Sequence, residues 1–217
     1  MTLQPPAFIA FTGVDGVELK SELIALSARY PIEWGLLIDD EQTDNPLFAS
    51  AELRDALLSG RPLRWAAHIC GALAARIARG EAPSSISLAG FQRVQVNHSF
   101  SGSNESHIAN SSLFGRRHGV RSVLQCLGAF PMDLRVDWLF DTSFGKGAAP
   151  SAWPSLPSRG PFCGFSGGLN PNTVRPVLER IAAPQGALYW IDMESGVRTN
   201  GRLDIEKCEA VCRAVYD

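Results

Sequence analysis

Eight short apolar runs, each five to seven residues long, recur along the 217-residue chain, and most are followed by a helical pattern or a loop. Strands that alternate with helices predict right-handed βαβ units and a parallel sheet, because parallel neighbours need a crossover connection. Eight such units predict an α/β fold, a single (β/α)8 or TIM barrel that spans residues 1–217. The runs lie at 7–11, 32–38, 63–69, 91–96, 121–127, 135–140, 161–166 and 187–192.

The main competitor of the barrel is a doubly wound open sheet, which the sequence of the first turn disfavours. The first turn of a nucleotide-binding open sheet usually carries G-x-G-x-x-G, whereas this chain has "FTGVDGVEL" at 11–19. The segment after the fourth run is polar, and its histidines (His98, His107 and His118) are expected in solvated loops. Helices are predicted at Glu18–Arg29, Ser50–Ser59, 72–79, Asn172–Ile181 and Asp204–Tyr216.

Composition excludes several classes of partner. The net charge is −2 and no run is rich in lysine or arginine, so nucleic acid is not expected as a partner. No segment approaches the roughly 18 consecutive apolar residues of a membrane span, and no secretory signal pattern is present, so a cytoplasmic protein is expected. The five cysteines form no C-x-x-C pair, so neither disulfides nor a structural metal is predicted. Cys208 and Cys212 fit core positions of the last helix.

Two glycine-containing turns are the best candidates for an anion site. In a barrel, phosphate commonly binds between the loops after strands seven and eight, which here are "SGGLNPN" and "DMESGVRTNG". Gly167 and Gly168 would let backbone N–H groups approach a ligand, and Ser195 and Gly196 would add donors. Asn170 and the proline after it fit the cap and first position of a helix whose amino terminus attracts anions. The alternative is that both sequences are only tight turns.

The carboxyl-terminal third resembles the phosphoribosylanthranilate isomerases, which are (βα)8 barrels. The shared motifs are "GGLNPNTV" (167–174), "DMESGVRTNGRLDIEK" (192–207) and "FDTSFGKGAAPSAW" (140–153). The resemblance implies a small phosphorylated metabolite held around Gly167, Gly168, Glu194, Ser195 and Gly196, and no cofactor. It implies an Amadori rearrangement in which Asp141, at the end of strand six, is the general acid. From the residues alone, Asp141 fits either a pocket carboxyl group or the cap of the following loop.

Several positions depart from this family. Thr12 stands where the family has its catalytic cysteine, and an alcohol is a poor general base unless a neighbour takes its proton. The acidic stretch "LLIDDEQTDNP" (36–46) replaces basic residues that contact the substrate carboxylate. Other candidate bases are Asp15, in the first loop, and His68, which would titrate near neutral pH if partly exposed. His68 and Cys70 lack further ligands for a metal site.

Three functional hypotheses therefore stay open, and whether the chain is an enzyme stays open with them. The first is a divergent isomerase or lyase that acts on a phosphorylated sugar-like metabolite with Asp141 as the acid; if active, it is an intramolecular isomerase. The second is a non-catalytic relative that keeps the phosphate site. The third is a true phosphoribosylanthranilate isomerase with a repositioned base. Asn97 is expected to line the pocket, Glu194 to pair with Arg198, and the oligomeric state is open between monomer and homodimer.

Overall fold

A computed structural model describes residues 3–42, 44–60, 63–81, 83, 86–98, 102–143 and 146–217. Its eight parallel strands form a closed barrel in chain order, in which the last strand pairs with the first. The predicted (β/α)8 fold is confirmed. The strands are β1 Phe8–Thr12, β2 Ile32–Ile38, β3 Trp65–Ile69, β4 Arg93–Val96, β5 Arg121–Cys126, β6 Asp137–Phe140, β7 Cys163–Ser166 and β8 Tyr189–Met193, with a small hairpin of β9 Arg198–Thr199 and β10 Arg202–Leu203.

The six α-helices of the described residues follow β1, β2, β3, β4, β7 and β8. They are α1 Lys20–Ser27, α2 Ala51–Leu58, α3 Gly71–Ala78, α4 Glu105–Arg117, α5 Val174–Ile181 and α6 Ile205–Tyr216. Cys208 and Cys212 are fully buried in α6, as the sequence predicted. No helix in the described ranges is long and apolar enough to cross a membrane.

The sequence pattern does not predict helix α4, and it places His98, His107 and His118 in loops. The assignment was wrong for His107, which lies in the first turn of α4 and forms a capping box with Asn104. His118 directly follows the helix and is exposed, and the ring of His98 lies against that of His107. Serine and asparagine residues dilute the apolar face of this helix, so its periodicity is weak in the sequence.

Two crossovers, 127–136 and 141–162, contain no helix within the described residues. Aromatic side chains cover the barrel wall on this side instead. Phe130 and Trp153 both pack edge-on against Phe165 of β7, with ring centroids 5.2 and 5.9 Å apart. The 141–162 loop also contributes Asp141, Ser143 and Gly147 to the site described below.

The barrel interior changes in character along its axis. At the amino-terminal end, Glu33, Arg93 and Asp137 form a buried ionic layer with Arg64 and Arg121 at its rim. An apolar cluster packs against this layer, and its rings of Phe8 and Trp190 lie beside the Arg93 guanidinium; its members are Phe8, Ala10, Val123, Leu139 and Trp190. A Cβ on Gly164 would overlap the Trp190 indole, so this glycine of β7 makes room for the tryptophan. The carboxyl-terminal end is polar and forms the floor of a cavity.

Candidate functional site

A cavity of about 330 Å³ opens at the carboxyl-terminal ends of the strands. This is the face on which active sites of (β/α)8 barrels are built. Its polar wall comes from inward-facing strand ends and from the loops that follow them. The polar side chains that line it are Thr12, His68, Cys70, Gln95, Asn97, Gln125, Asp141, Ser143, Ser166, Asp192, Glu194 and Ser195.

Three loops meet at one side of the cavity and form what we call the glycine cradle: Gly147, Gly167, Gly168, Ser195 and Gly196. A Cβ on Gly196 would overlap the carbonyl oxygen of Leu169, and a Cβ on Gly147 would overlap the Ser195 hydroxyl. Gly167 and Gly168 have φ values of +112° and +66°, a region that glycine occupies without strain. Glycine is therefore required for the loops after β6, β7 and β8 to approach one another this closely.

Backbone donors of the cradle are open. Within the described part of the chain, the N–H groups of Gly168, Ser195 and Gly196 donate to no protein acceptor. Asn170 does not cap α5 as predicted, because its side chain accepts from Asn172 N at 2.8 Å and Thr173 N at 3.1 Å in a preceding turn. Helix α5 begins only at Val174. The donors available to an anion are thus those of the glycine turns.

Asp141 lies in the pocket wall immediately after β6 and is 6% exposed. Its Oδ1 accepts hydrogen bonds from the Ser143 N–H at 2.8 Å and the Ser143 hydroxyl at 2.7 Å, and its Oδ2 accepts one from Gln125 Nε2 at 3.2 Å. Both interpretations of this aspartate from the sequence are therefore compatible with its position. It caps its own loop and also lines the cavity.

Asp192, at the end of β8, is the carboxylate that sequence reasoning did not select. Its Oδ1 accepts a hydrogen bond from the Thr12 hydroxyl at 3.0 Å, while its Oδ2 has no partner among the described residues. Burial raises the pKa of Asp192 to about 7, against the opposing effects of the Thr12 hydrogen bond and the charge of Arg93. The sequence held a signal, since strand alternation points a residue after "ALYWI" into the barrel.

His68 completes a group that we call the Asp192 cluster: Thr12, His68 and Asp192. The His68 Nε2 lies 3.5 Å from the Thr12 hydroxyl oxygen and 3.9 Å from Asp192 Oδ2. A Cβ on Gly35 of β2 would lie 2.6 Å from the Thr12 hydroxyl oxygen and 3.1 Å from His68 Nε2, so glycine there keeps the two in contact. Burial lowers the pKa of His68 to about 3, and the charge of Arg93 adds to the effect. The condition for titration near neutral pH, partial exposure, is not met, because the ring is buried.

Asp15 lies outside the wall of the cavity. Its Oδ2 accepts hydrogen bonds from Arg198 Nη2 at 2.6 Å and from the Leu203 N–H at 3.2 Å. Arg198 also lies 3.4 Å from Glu194, which is the predicted pairing, and burial raises the pKa of Glu194 while Arg198 opposes that rise. Asp15 therefore fixes the loop after β8 in place.

Cys70 and Asn97 line the cavity beside β3 and β4, as predicted for Asn97. The Asn97 amide donates to Cys70 Sγ at 3.4 Å, and burial raises the pKa of the thiol to about 11. Cys70 is thus a neutral thiol at physiological pH. Across the described ranges, no group of three or more His, Cys, Asp or Glu side chains is placed to hold a metal ion.

Solved structures with the same fold include two phosphoribosylanthranilate isomerases. A dimeric isomerase from Thermotoga maritima, solved as engineered monomers, aligns with a TM-score of 0.61 and 14% identity over 95% of this chain and 97% of that chain. The enzyme from Pyrococcus furiosus aligns with a TM-score of 0.59 and 15% identity over 96% and 98%. Comparisons with protein-family models and with curated protein sequences give no match.

Proposed function

We propose that this chain, which has the fold of the phosphoribosylanthranilate isomerases, binds a phosphorylated sugar-like metabolite and isomerises it by proton transfer. The phosphate would lie in the glycine cradle. Asp141 would be the general acid and Asp192 the general base. The observation that carries the proposal is that one cavity joins open backbone donors to two buried carboxyl groups.

The cradle has the features of a phosphate site without a basic side chain in contact with the ligand. Its glycine turns bring N–H groups from two loops to one place, and such groups of donors bind anions. In (β/α)8 barrels a phosphate frequently occupies this position, between the loops after strands seven and eight. The exposed hydroxyl of Ser195 adds a side-chain donor at the same place.

The two carboxyl groups suit an isomerisation of an aldose-type substrate. Asp141 would give its proton to the ring oxygen as the bond between that oxygen and the first carbon breaks, which leaves the first carbon as a protonated carbonyl group. Asp192 would then accept the proton on the second carbon. The electron pair of that C–H bond would form the double bond between the two carbons, the carbonyl π pair would move to its oxygen, and the resulting enediol would tautomerise to the ketose. A carboxyl group with a pKa of about 7 is well matched to proton transfer at neutral pH.

Two features disfavour the specific reaction on phosphoribosylanthranilate. Thr12 occupies the position of the family's cysteine base, and its hydroxyl is used to donate to Asp192. No arginine or lysine of the described residues lines the cavity, so the anthranilate carboxylate would have no cationic partner. The first and second hypotheses thus remain in competition, and proton exchange on a bound ligand separates them.

Binding is tested by isothermal titration calorimetry with ribose 5-phosphate and ribose, using Ser195→Asp and the matched neutral variant Ser195→Asn. We expect ribose 5-phosphate to bind and ribose not to bind measurably. Ser195→Asp should weaken binding by at least about tenfold through charge repulsion, whereas Ser195→Asn should stay within about threefold of the parent. Equal affinity in the two variants would place the ligand elsewhere.

Catalysis is tested by proton NMR of bound sugar phosphates in D2O. An isomerase exchanges the hydrogen on the second carbon with solvent, so the signal of that hydrogen should disappear with the parent protein. Asp192→Asn and Asp141→Asn should slow the exchange by about 10²-fold or more while ligand binding persists. Binding without any exchange in the parent would support the non-catalytic hypothesis.

A further inference from the structure

The wall of the cavity is unusual in its charge. Three carboxyl groups, Asp141, Asp192 and Glu194, line it, and among the described lining residues there is neither lysine nor arginine. The His68 ring beside them is neutral, because burial lowers its pKa to about 3. The remaining polar groups are hydroxyls and carboxamides, with Gln95, Asn97 and Gln125 following one another on the strand side.

The cations nearest the cavity do not line it. Arg198 donates to the Gly13 carbonyl oxygen and to Asp15, at 2.8 and 2.6 Å. Arg93 pairs with Glu33 and stacks its guanidinium 4.2 Å from the centre of the Trp190 ring. Lys146 is exposed in the loop that carries Gly147. None of these three side chains is part of the described cavity wall.

The carboxyl group of Asp192 also requires a partner. Its Oδ2 is buried and has no hydrogen-bond donor within the described part of the protein, yet the residue lines the cavity. A buried polar atom without a partner is costly, and a ligand that supplies a donor removes that cost. A ligand carboxylate would instead place another acceptor and another negative charge beside it.

We infer that the part of the ligand beyond the phosphate presents hydrogen-bond donors, as hydroxyl or amine groups, and carries no carboxylate. The inference rests on the proposed phosphate site, which fixes one end of the ligand in the cradle. The acidic wall then acts as a filter against substrates of the anthranilate type. It selects polyhydroxyl or amino-sugar phosphates.

The test compares two linear six-carbon phosphates that differ only at the first carbon, glucitol 6-phosphate and 6-phosphogluconate. We expect glucitol 6-phosphate to bind at least about tenfold more tightly by calorimetry, because like charges in a poorly solvated site repel. Glucosamine 6-phosphate and glucose 6-phosphate then show whether an amine or a hydroxyl is the better donor. Equal or tighter binding of 6-phosphogluconate would overturn the inference.

A variant can remove the preference for glucitol 6-phosphate over 6-phosphogluconate without changing the three carboxyl groups. Leu47 lies at the half-buried rim of the cavity, in the loop after β2. Leu47→Arg would supply the missing cation, and Leu47→Gln is the matched neutral change. Leu47→Arg should bring the affinity for 6-phosphogluconate to within about threefold of that for glucitol 6-phosphate, while Leu47→Gln should keep the tenfold difference. The same ratio in both variants would contradict a charge filter.

Failure of the filter and failure of the phosphate site give different results. If both phosphates bind equally and Ser195→Asp weakens both, the cradle is supported and the filter is overturned. If glucitol 6-phosphate is preferred but Ser195→Asp changes neither affinity, the filter is supported and the cradle is not the phosphate site. If neither phosphate binds at millimolar concentration, both are overturned.

Discussion

The two ends of the barrel interior each bury a carboxyl group, and they surround it differently. At the amino-terminal end, Glu33 is fully buried and its two oxygens accept from Arg64 at 2.9 Å and from Arg93 at 2.6 Å. At the carboxyl-terminal end, Asp192 is 5% exposed and accepts one hydrogen bond, from the Thr12 hydroxyl, while the neutral His68 ring lies 3.9 Å away. The first arrangement pairs a carboxylate with two guanidinium groups. The second provides no paired cation and leaves a carboxyl group whose pKa is raised to about 7.

This difference follows a division that is common in (β/α)8 barrels, in which the amino-terminal face supports stability and the carboxyl-terminal face supports chemistry. A paired buried carboxylate contributes structure as long as its partners are present. A buried carboxyl group without a cation has a raised pKa, which is a frequent property of catalytic groups. Replacement of the carboxyl group by an amide should therefore lower the free energy of unfolding at the amino-terminal end but not at the carboxyl-terminal end.

The largest expected effect is that of Glu33→Gln. It leaves the buried Arg93 guanidinium without its closest partner, so the free energy of unfolding should fall by about 3–5 kcal/mol. Urea denaturation at pH 7 measures it. Asp192→Asn is the matched change at the other end and should not lower stability at this pH, because it replaces a carboxyl group that burial disfavours when ionised. Equal losses of unfolding free energy in Glu33→Gln and Asp192→Asn would contradict this difference between the two ends of the barrel.

The next effect is a pair of opposite pH dependences at the cavity end. The pKa of Asp192 rises from 3.8 to about 7 on folding, and that of His68 falls from 6.5 to about 3. Between about pH 4 and 6.5 the unfolded chain holds one proton on His68 and the folded chain holds one on Asp192, so the two contributions cancel.

Single variants should reveal each slope. In His68→Gln, Asp192 is the one group of this pair whose pKa differs between the folded and the unfolded chain. The folded chain binds the extra proton, so the free energy of unfolding should fall as pH rises from 4 to 7. In Asp192→Asn only His68 differs, and the unfolded state binds the extra proton, so stability should fall as pH drops from 6.5 to 4. Each slope should approach about 1.4 kcal/mol per pH unit relative to the parent. Urea denaturation at pH 4.5, 5.5 and 6.5 measures both, and parallel curves would contradict the assignment.

A smaller effect concerns Thr12, whose hydrogen bond lowers the pKa of Asp192. Thr12→Val keeps the shape and removes the donor, so the pKa of Asp192 should rise by about one unit. Carbon NMR of the labelled carboxyl group follows the titration. Thr12→Ser keeps a hydroxyl and should leave the pKa near that of the parent. A Thr12→Val titration that matches the parent would show that the hydroxyl does not contact the carboxylate.

The smallest effect is expected at the surface, where the same amide substitution calibrates the other two. Glu105 pairs with Arg135 at 2.6 Å, and its side chain is 76% exposed. Exposed ion pairs contribute little because water screens them, so Glu105→Gln should leave the free energy of unfolding close to that of the parent. Denaturation under the conditions used for Glu33→Gln measures it. A loss as large as that of Glu33→Gln would show that burial does not set the difference.

The fold was accessible from the sequence, because every strand is a short apolar run that ends at a turn or a helix. Helix α4 was not, since its serines and asparagines hide the apolar face that packs on the barrel. The contact between Thr12 and Asp192 was not predicted, although closure of the barrel places the ends of β1 and β8 side by side. Their burial could not be predicted, and burial sets the pKa values of the Asp192 cluster.

Contacts between residues of different loops were the other part of the structure that the sequence did not predict. Asp15 was a reasonable candidate base, since it follows β1 on the correct face. Its contact with Arg198 joins residues 183 positions apart and has no local signal in the sequence. The glycine cradle was better predicted, because glycine at close approaches leaves a recognisable pattern. The sequence did not single out Gly147, because Ser195, whose hydroxyl lies close to it, belongs to a different loop.

Ring closure has a consequence for the order of folding events. The contact between Thr12 and Asp192 spans 180 positions in the chain and exists only when β8 pairs with β1. A chain with seven strands in place would still hydrate Asp192, which would stay ionised at pH 5.5. In His68→Gln, where no histidine proton is released in return, the uptake of one proton by this carboxyl group therefore reports the pairing of β8 with β1, and a pH indicator in a stopped-flow refolding experiment at pH 5.5 would time it.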